Sequence, residues 1–116
     1  MIPAQEEQRP TRCHILSFSS WNIDFHFNII AVTETKIYNY ILDFNPNIPN
    51  YNFEFVPTPL SAGGVGMYID ATMNYTVIER TSNEAFQALW IELQFVKQSN
   101  IMVVSFIGNI ILWNVS

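Results

Sequence analysis

Asn28-Ile29-Ile30-Ala31-Val32-Thr33-Glu34-Thr35-Lys36 is the stretch whose reading decides the fold. Ile29, Ile30 and Val32 form a short apolar, β-branched run bounded by polar residues. A run this short does not make a helix that stands alone, and it reads as a buried strand. It ends on a lone carboxylate, Glu34, between two threonines. In open α/β sheets ligands and metals collect at the carboxyl ends of strands, so Glu34 is the first candidate for chemistry. The plain alternative is a solvated glutamate at the end of a strand.

Downstream, Tyr38 to Asn50 is rich in Asn and Pro. Pro46 and Pro49 disfavour helix at the residue before each, so this is a surface loop. Tyr51-Asn52-Phe53-Glu54-Phe55 alternates apolar with polar, the spacing of a strand with one wet face, and Pro57 and Pro59 end it. Leu60 to Gly64 is a turn whose glycines can take positive φ. Strands are then expected at Val65–Ile69, Tyr75–Arg80, within Phe86–Phe95 and at Ile101–Ile107, joined by short polar turns.

Upstream, Met1 to Arg12 is polar, holds two prolines and reads as a disordered arm, leaving 13–116 as the folded domain. Ile15, Phe18 and Trp21 share a helical face, whereas Ile23, Phe25 and Phe27 alternate with Asn22, Asp24 and His26. A short helix from about His14 to Trp21, feeding the strand at Asn28, is the expected arrangement.

With 116 residues the chain makes at most one domain. Its charged fraction of 13% is about half the usual level, so much apolar surface awaits a partner. A net charge of −5 argues against tight phosphate-backbone binding by this chain alone. The single cysteine, Cys13, makes no internal disulfide, and the N-terminus lacks the basic-then-apolar order of a secretion signal, so an intracellular setting is expected. The triplets Asn74-Tyr75-Thr76 and Asn114-Val115-Ser116 are then chance glycosylation matches. Ile101 to Val115 is uncharged but shorter than the ~20 residues of a membrane span. It reads as a core strand with an abrupt end, a shallow membrane anchor being the lesser alternative.

Catalytic clusters are scarce. One cysteine and two distant histidines, His14 and His26, give no zinc spacing, and no serine has the glycines of a nucleophile elbow. Asp70, Glu79, Glu84 and Glu92 are scattered over different segments, and Glu34 alone follows a run that looks central. Magnesium takes hard oxygen ligands, one or two of them carboxylates, and Glu34 is able to supply one.

The order of four segments resembles a family. Ile29-Ile30-Ala31-Val32-Thr33-Glu34-Thr35-Lys36, then Ile48-Pro49-Asn50-Tyr51, then Gly63-Gly64-Val65-Gly66-Met67-Tyr68-Ile69, then Phe86-Gln87-Ala88-Leu89-Trp90-Ile91-Glu92-Leu93 resembles the endonuclease/exonuclease/phosphatase superfamily. Within it, the match is nearest to the endonuclease domain of non-LTR (LINE-type) retrotransposon polyproteins. The resemblance covers about residues 27 to 107. It implies a deoxyribonuclease-I-like α/β sandwich, of which this chain would hold a part: mostly one mixed or antiparallel sheet with few helices. It also implies magnesium-dependent hydrolysis of a phosphodiester in DNA, with Glu34 as the catalytic, metal-binding glutamate. Trp90 and the glycines match structural positions.

The departures count against activity. The family's catalytic asparagine lies on an earlier strand, and Asn22 does not fit that spacing. Where the family has Tyr-Arg-Pro-Pro, this chain has Gly108-Asn109-Ile110-Ile111. The later Asp-x-Asn and Asp-His pairs would fall after residue 116. The expectation is therefore a truncated, inactive domain with weak or absent magnesium binding, lacking its second sheet. The bare inner face of the first sheet would then promote self-association. The alternative is a β-rich interaction module without catalysis, and in neither case is a transmembrane segment expected.

Overall fold

The computed structural model describes residues 12–16, 28–106 and 109–115, with side chains from 28 onward. They form eight strands: β1 (Arg12–Leu16), β2 (Ile29–Thr33), β3 (Tyr51–Val56), β4 (Val65–Asp70), β5 (Asn74–Ser82), β6 (Gln87–Gln94), β7 (Asn100–Phe106) and β8 (Asn109–Val115). No helix occurs among the described residues. The strands build two four-stranded sheets, ordered β1-β2-β4-β3 and β5-β6-β7-β8, with every neighbouring pair antiparallel.

The sequence pattern accounts for the layering. In the first sheet Ile29, Ala31 and Thr33 lie opposite Ile69, Met67 and Val65, and all six are buried. In the second, Leu89, Ile91 and Leu93 of β6 lie opposite Ser105, Val103 and Ile101 of β7. Because successive side chains alternate in direction, each of these sets shares one face. The two faces meet in a core of Ile29, Ala31, Val56, Val65, Met67, Ile69, Leu89, Ile91, Leu93 and Val103. Full burial of each large member is worth ~1.5–3 kcal/mol before chain entropy is subtracted.

The opposite face of the first sheet is aromatic. Phe53 stacks on Phe55 and on Tyr68, with ring centroids 5.3 and 4.5 Å apart. The loop between β2 and β3 lies against this face: Tyr40 packs on Phe55, and the Tyr68 hydroxyl donates to the Pro46 carbonyl. Gly66 is required here, since a Cβ would sit 2.8 Å from the Phe53 ring.

The sheets are also tied at one side by β5. A bulge between Val77 and Glu79 leaves Ile78 out of register. Without that extra residue, alternation would point Glu79 at the first sheet; with it, Arg80 points there instead. Arg80 pairs with Glu54 of β3 and its Nε donates to the Phe55 carbonyl. Tyr75 donates its hydroxyl to the same carboxylate at 2.7 Å. The bulge thus brings a cation, rather than a second anion, to Glu54.

Several expectations are corrected. The chain holds two antiparallel sheets, not one, and the inner face of the first is covered by the second; the last three strands of the sequence form a continuous meander with β5. The segment His14–Leu16 is extended and paired in register with Ala31, Ile30 and Ile29, not helical. Strand pairing with β2 satisfies its backbone groups, which outweighs a helical spacing of three apolar residues. The rest of that expected helix, residues 17–21, lies outside the described residues, as do residues 1–11 of the arm. The strand β1 begins at Arg12. The segment after β7 is a further strand, β8, at the edge of the second sheet. No helix among the described residues is long and apolar enough to cross a membrane.

Candidate functional site

Glu34 stands at the first residue beyond β2, which is an interior strand of its sheet. Its backbone is left-handed, at φ 59°, and so is that of Lys36, at φ 60°. For residues with a Cβ this conformation costs about 1–2 kcal/mol each and persists only where the surroundings impose it. The surroundings here are the turn that leads into β4. Gly63 and Gly64 have φ of 101° and 92°, values open to glycine. Their carbonyls accept from the Lys36 N–H at 2.8 Å and the Thr35 N–H at 3.4 Å, so the two turns zip together beyond the ends of β2 and β4.

The side chains complete the arrangement. Glu34 Oε1 accepts from the Gly63 N–H at 3.2 Å, which orients the half-buried carboxylate over the turn. Gln87, buried at the start of β6, accepts the Gly64 N–H on Oε1 at 2.9 Å and donates from Nε2 to the Asn83 carbonyl at 3.1 Å. That glutamine joins the first sheet's glycine turn to the second sheet. Thr58, also buried, accepts the Leu60 N–H and donates to the Ala62 carbonyl, holding the loop that precedes the glycines. Both glycines are packed: a Cβ on Gly63 would lie 2.7 Å from Gln87 Oε1, and one on Gly64 would lie 2.4 Å from Thr35 Oγ1.

Two further hydroxyls are buried in this end of the sandwich. Thr33 closes β2 beside Glu34, and Ser105 of β7 pairs with Leu89, two residues after Gln87. Both oxygens are buried with no protein partner. A buried hydroxyl left unpaired costs about 1–3 kcal/mol, so this end of the core is less well satisfied than the rest.

Of the sequence-derived candidates, Glu34 is therefore at a strand end and held by a specific turn. Four other carboxylates are engaged elsewhere: Glu54 with Arg80 and Tyr75, Glu92 with the Asn100 amide, Asp70 with the Thr72 hydroxyl and amide N–H, and Glu79 with the Thr81 hydroxyl. No group of three His, Cys, Asp or Glu that could hold a metal ion occurs among the described residues. Trp90 is half-buried on the outer face of the second sheet rather than in the core, 6.2 Å and edge-on to Trp113. Gln87 was not singled out by the sequence; its only signal is a lone amide at the start of an apolar run. His14, His26 and Cys13 have no described side chains.

A second feature lies on that outer face. Phe86, Ala88, Trp90, Val104, Ile111 and Trp113 line a groove of about 270 Å³. The Trp90 indole N–H is buried there without a hydrogen-bond partner.

Comparisons with protein-family models, with curated proteins and with solved structures gave no match for this chain.

Proposed function

We propose that this chain carries part of a magnesium-dependent phosphodiesterase domain of the endonuclease/exonuclease/phosphatase type, akin to the DNA endonucleases of LINE-type retrotransposons, and that it has no turnover by itself. The observation that carries this reading is Glu34, whose strained backbone stands at the exit of an interior strand and is locked by a double-glycine turn. Strain of that kind gathers where a side chain must be aimed. The four segments of the resemblance fall on or beside β2, β3, β4 and β6, which is support from sequence order. An intracellular setting and a DNA substrate belong to the same proposal.

Glu34 fits magnesium as one hard-oxygen ligand, since such sites take one or two carboxylates and leave the remaining positions to water and phosphate. A single carboxylate makes a weak site. Bound there, the ion would supply charge neutralisation at a phosphate oxygen. What the chain itself does is narrower. The Gly63 N–H fixes the direction of the carboxylate, and Gln87 and Thr58 keep that glycine turn in place. The asparagine and the tyrosine of the resemblance have no counterpart in this sequence at matching positions. Metal-binding and proton-transfer groups act as a unit, so losing most of them removes nearly all the rate.

The test is nicking of supercoiled plasmid in magnesium by the folded protein, beside Glu34→Ala. The expected result is no nicking by either. Nicking that disappears in Glu34→Ala would overturn the proposal of an inert domain and place the missing groups elsewhere in the chain.

A second reading is favoured by the apolar groove: an interaction module that binds a protein through the outer face of the second sheet, or associates with itself there. The groove lining carries no charged side chain, although Glu79 stands opposite Trp90 at its edge, and apolar patches rimmed by polar residues are where interaction surfaces form.

A further inference from the structure

The two sheets have four edge strands, β1, β3, β5 and β8. Proteins blunt free edges with charge, because an edge offers unpaired N–H and C=O groups to any other strand. Three of the four follow this rule: β1 carries Arg12, β3 carries Glu54, and β5 carries Glu79 and Arg80. The strand β8, Asn-Ile-Ile-Leu-Trp-Asn-Val, carries no charge. Its side chains Ile111, Leu112 and Trp113 are 45%, 40% and 43% exposed.

We propose that the edge of β8, which pairs with no further strand among the described residues, pairs antiparallel with β8 of a second copy, joining the two second sheets into one continuous sheet. This deepens the interaction-module reading and does not depend on Glu34. Charge points to a second copy as the occupant. The chain is net acidic, at −5, so contact between copies at most faces brings like charges together. At β8 it brings none.

The register follows from symmetry. A two-fold axis through an antiparallel pair matches residues of the same face only when it passes through a residue. The central residue of β8 is Leu112, and an axis there uses the whole strand. Leu112 then lies opposite Leu112 of the second copy on the inner face, and Ile111 opposite Trp113 on the outer face. The outer contacts extend the groove formed by Trp90, Val104, Ile111 and Trp113, so the grooves of the two copies become one apolar surface.

The test uses the full chain with Cys13→Ser. Equilibrium sedimentation is expected to show a dimer, and Leu112→Cys is expected to cross-link nearly completely under mild oxidation. Opposed Cα atoms in an antiparallel pair are ~4.5–5.5 Å apart, within the span of a disulfide. Ile110→Cys, facing Asn114 of the second copy, is expected to remain uncross-linked. Leu112→Lys is expected to be folded by circular dichroism and monomeric. A dimer that cross-links through Ile110→Cys rather than Leu112→Cys would overturn the register. A protein that stays monomeric at all concentrations would overturn the pairing. If its groove still took up an apolar dye, the interaction-module reading would survive; if it did not, both would fall.

Discussion

Gly64→Ala tests whether the glycine turn is what holds Glu34. At φ 92° an alanine is strained, at about 1–2 kcal/mol by analogy with the left-handed region. Its Cβ would also lie 2.4 Å from Thr35 Oγ1 and 3.3 Å from the Lys36 nitrogen. Forcing such an overlap costs about 1–3 kcal/mol. The sum, about 2–5 kcal/mol, is a large share of the ~5–15 kcal/mol that holds an ordinary domain together. Urea unfolding at a slope of ~1–3 kcal/mol/M makes this a fall of about 0.7–5 M in the midpoint. The two contributions separate in a double-mutant cycle. Thr35→Ala removes the atom that meets the new methyl group, so Gly64→Ala should cost about 1–3 kcal/mol less in the Thr35→Ala background. What is left is the backbone strain. A Gly64→Ala protein within about 0.5 kcal/mol of the parent would refute the reasoning. So would a cycle with no coupling, because the steric contact would then be absent.

Two other predictions come from side chains between the sheets. Ser105→Ala removes a buried hydroxyl that has no protein partner, and it should raise stability by about 1 kcal/mol in urea unfolding; a loss of stability would mean that the hydroxyl is satisfied. Tyr75→Phe should lower stability at neutral pH by about 1 kcal/mol through the lost bond to Glu54. The Tyr75 hydroxyl is held well above its ordinary value of 10.0, first by burial, then by its hydrogen bond to Glu54 and that carboxylate's charge, with Arg80 opposing. A raised value means that the folded state favours the proton. The stabilisation is therefore complete below pH 10.0 and lost as the pH climbs from there through the folded value. The difference between parent and Tyr75→Phe should shrink in alkaline denaturation, and a constant difference would contradict the assignment.

The sequence carried the strands that alternate cleanly or run apolar between turns. The apolar run at Ile29–Thr33, the alternation at Tyr51–Phe55 and the run at Ile101–Phe106 each fall on a strand, because burial on one or both faces imposes those periods. Glu34 was legible for the same reason: an acid directly after a buried run has to stand at its exit. The second sheet was less legible as a sheet. The segment Ile110-Ile111-Leu112-Trp113 reads as buried, yet it forms an edge strand with three side chains at least 40% exposed. The extended conformation of His14–Leu16 depends on pairing with Ile29–Ala31, a contact between separate segments that local spacing does not encode. The join made by Gln87 is of the same kind, since its partners Gly64 and Asn83 are set by how the sheets pack.

The proposed role of Glu34 is that of a metal ligand held by the Gly63–Gly64 turn. The most direct measurement is a magnesium titration followed by amide chemical shifts in isotope-labelled protein, beside Glu34→Gln. Weak, saturable shifts confined to Glu34, Thr35, Gly63 and Gly64 are expected, and their loss in Glu34→Gln with the rest of the spectrum unchanged. Shifts that survive in Glu34→Gln, or that centre on other carboxylates such as Asp70 or Glu92, would contradict that role.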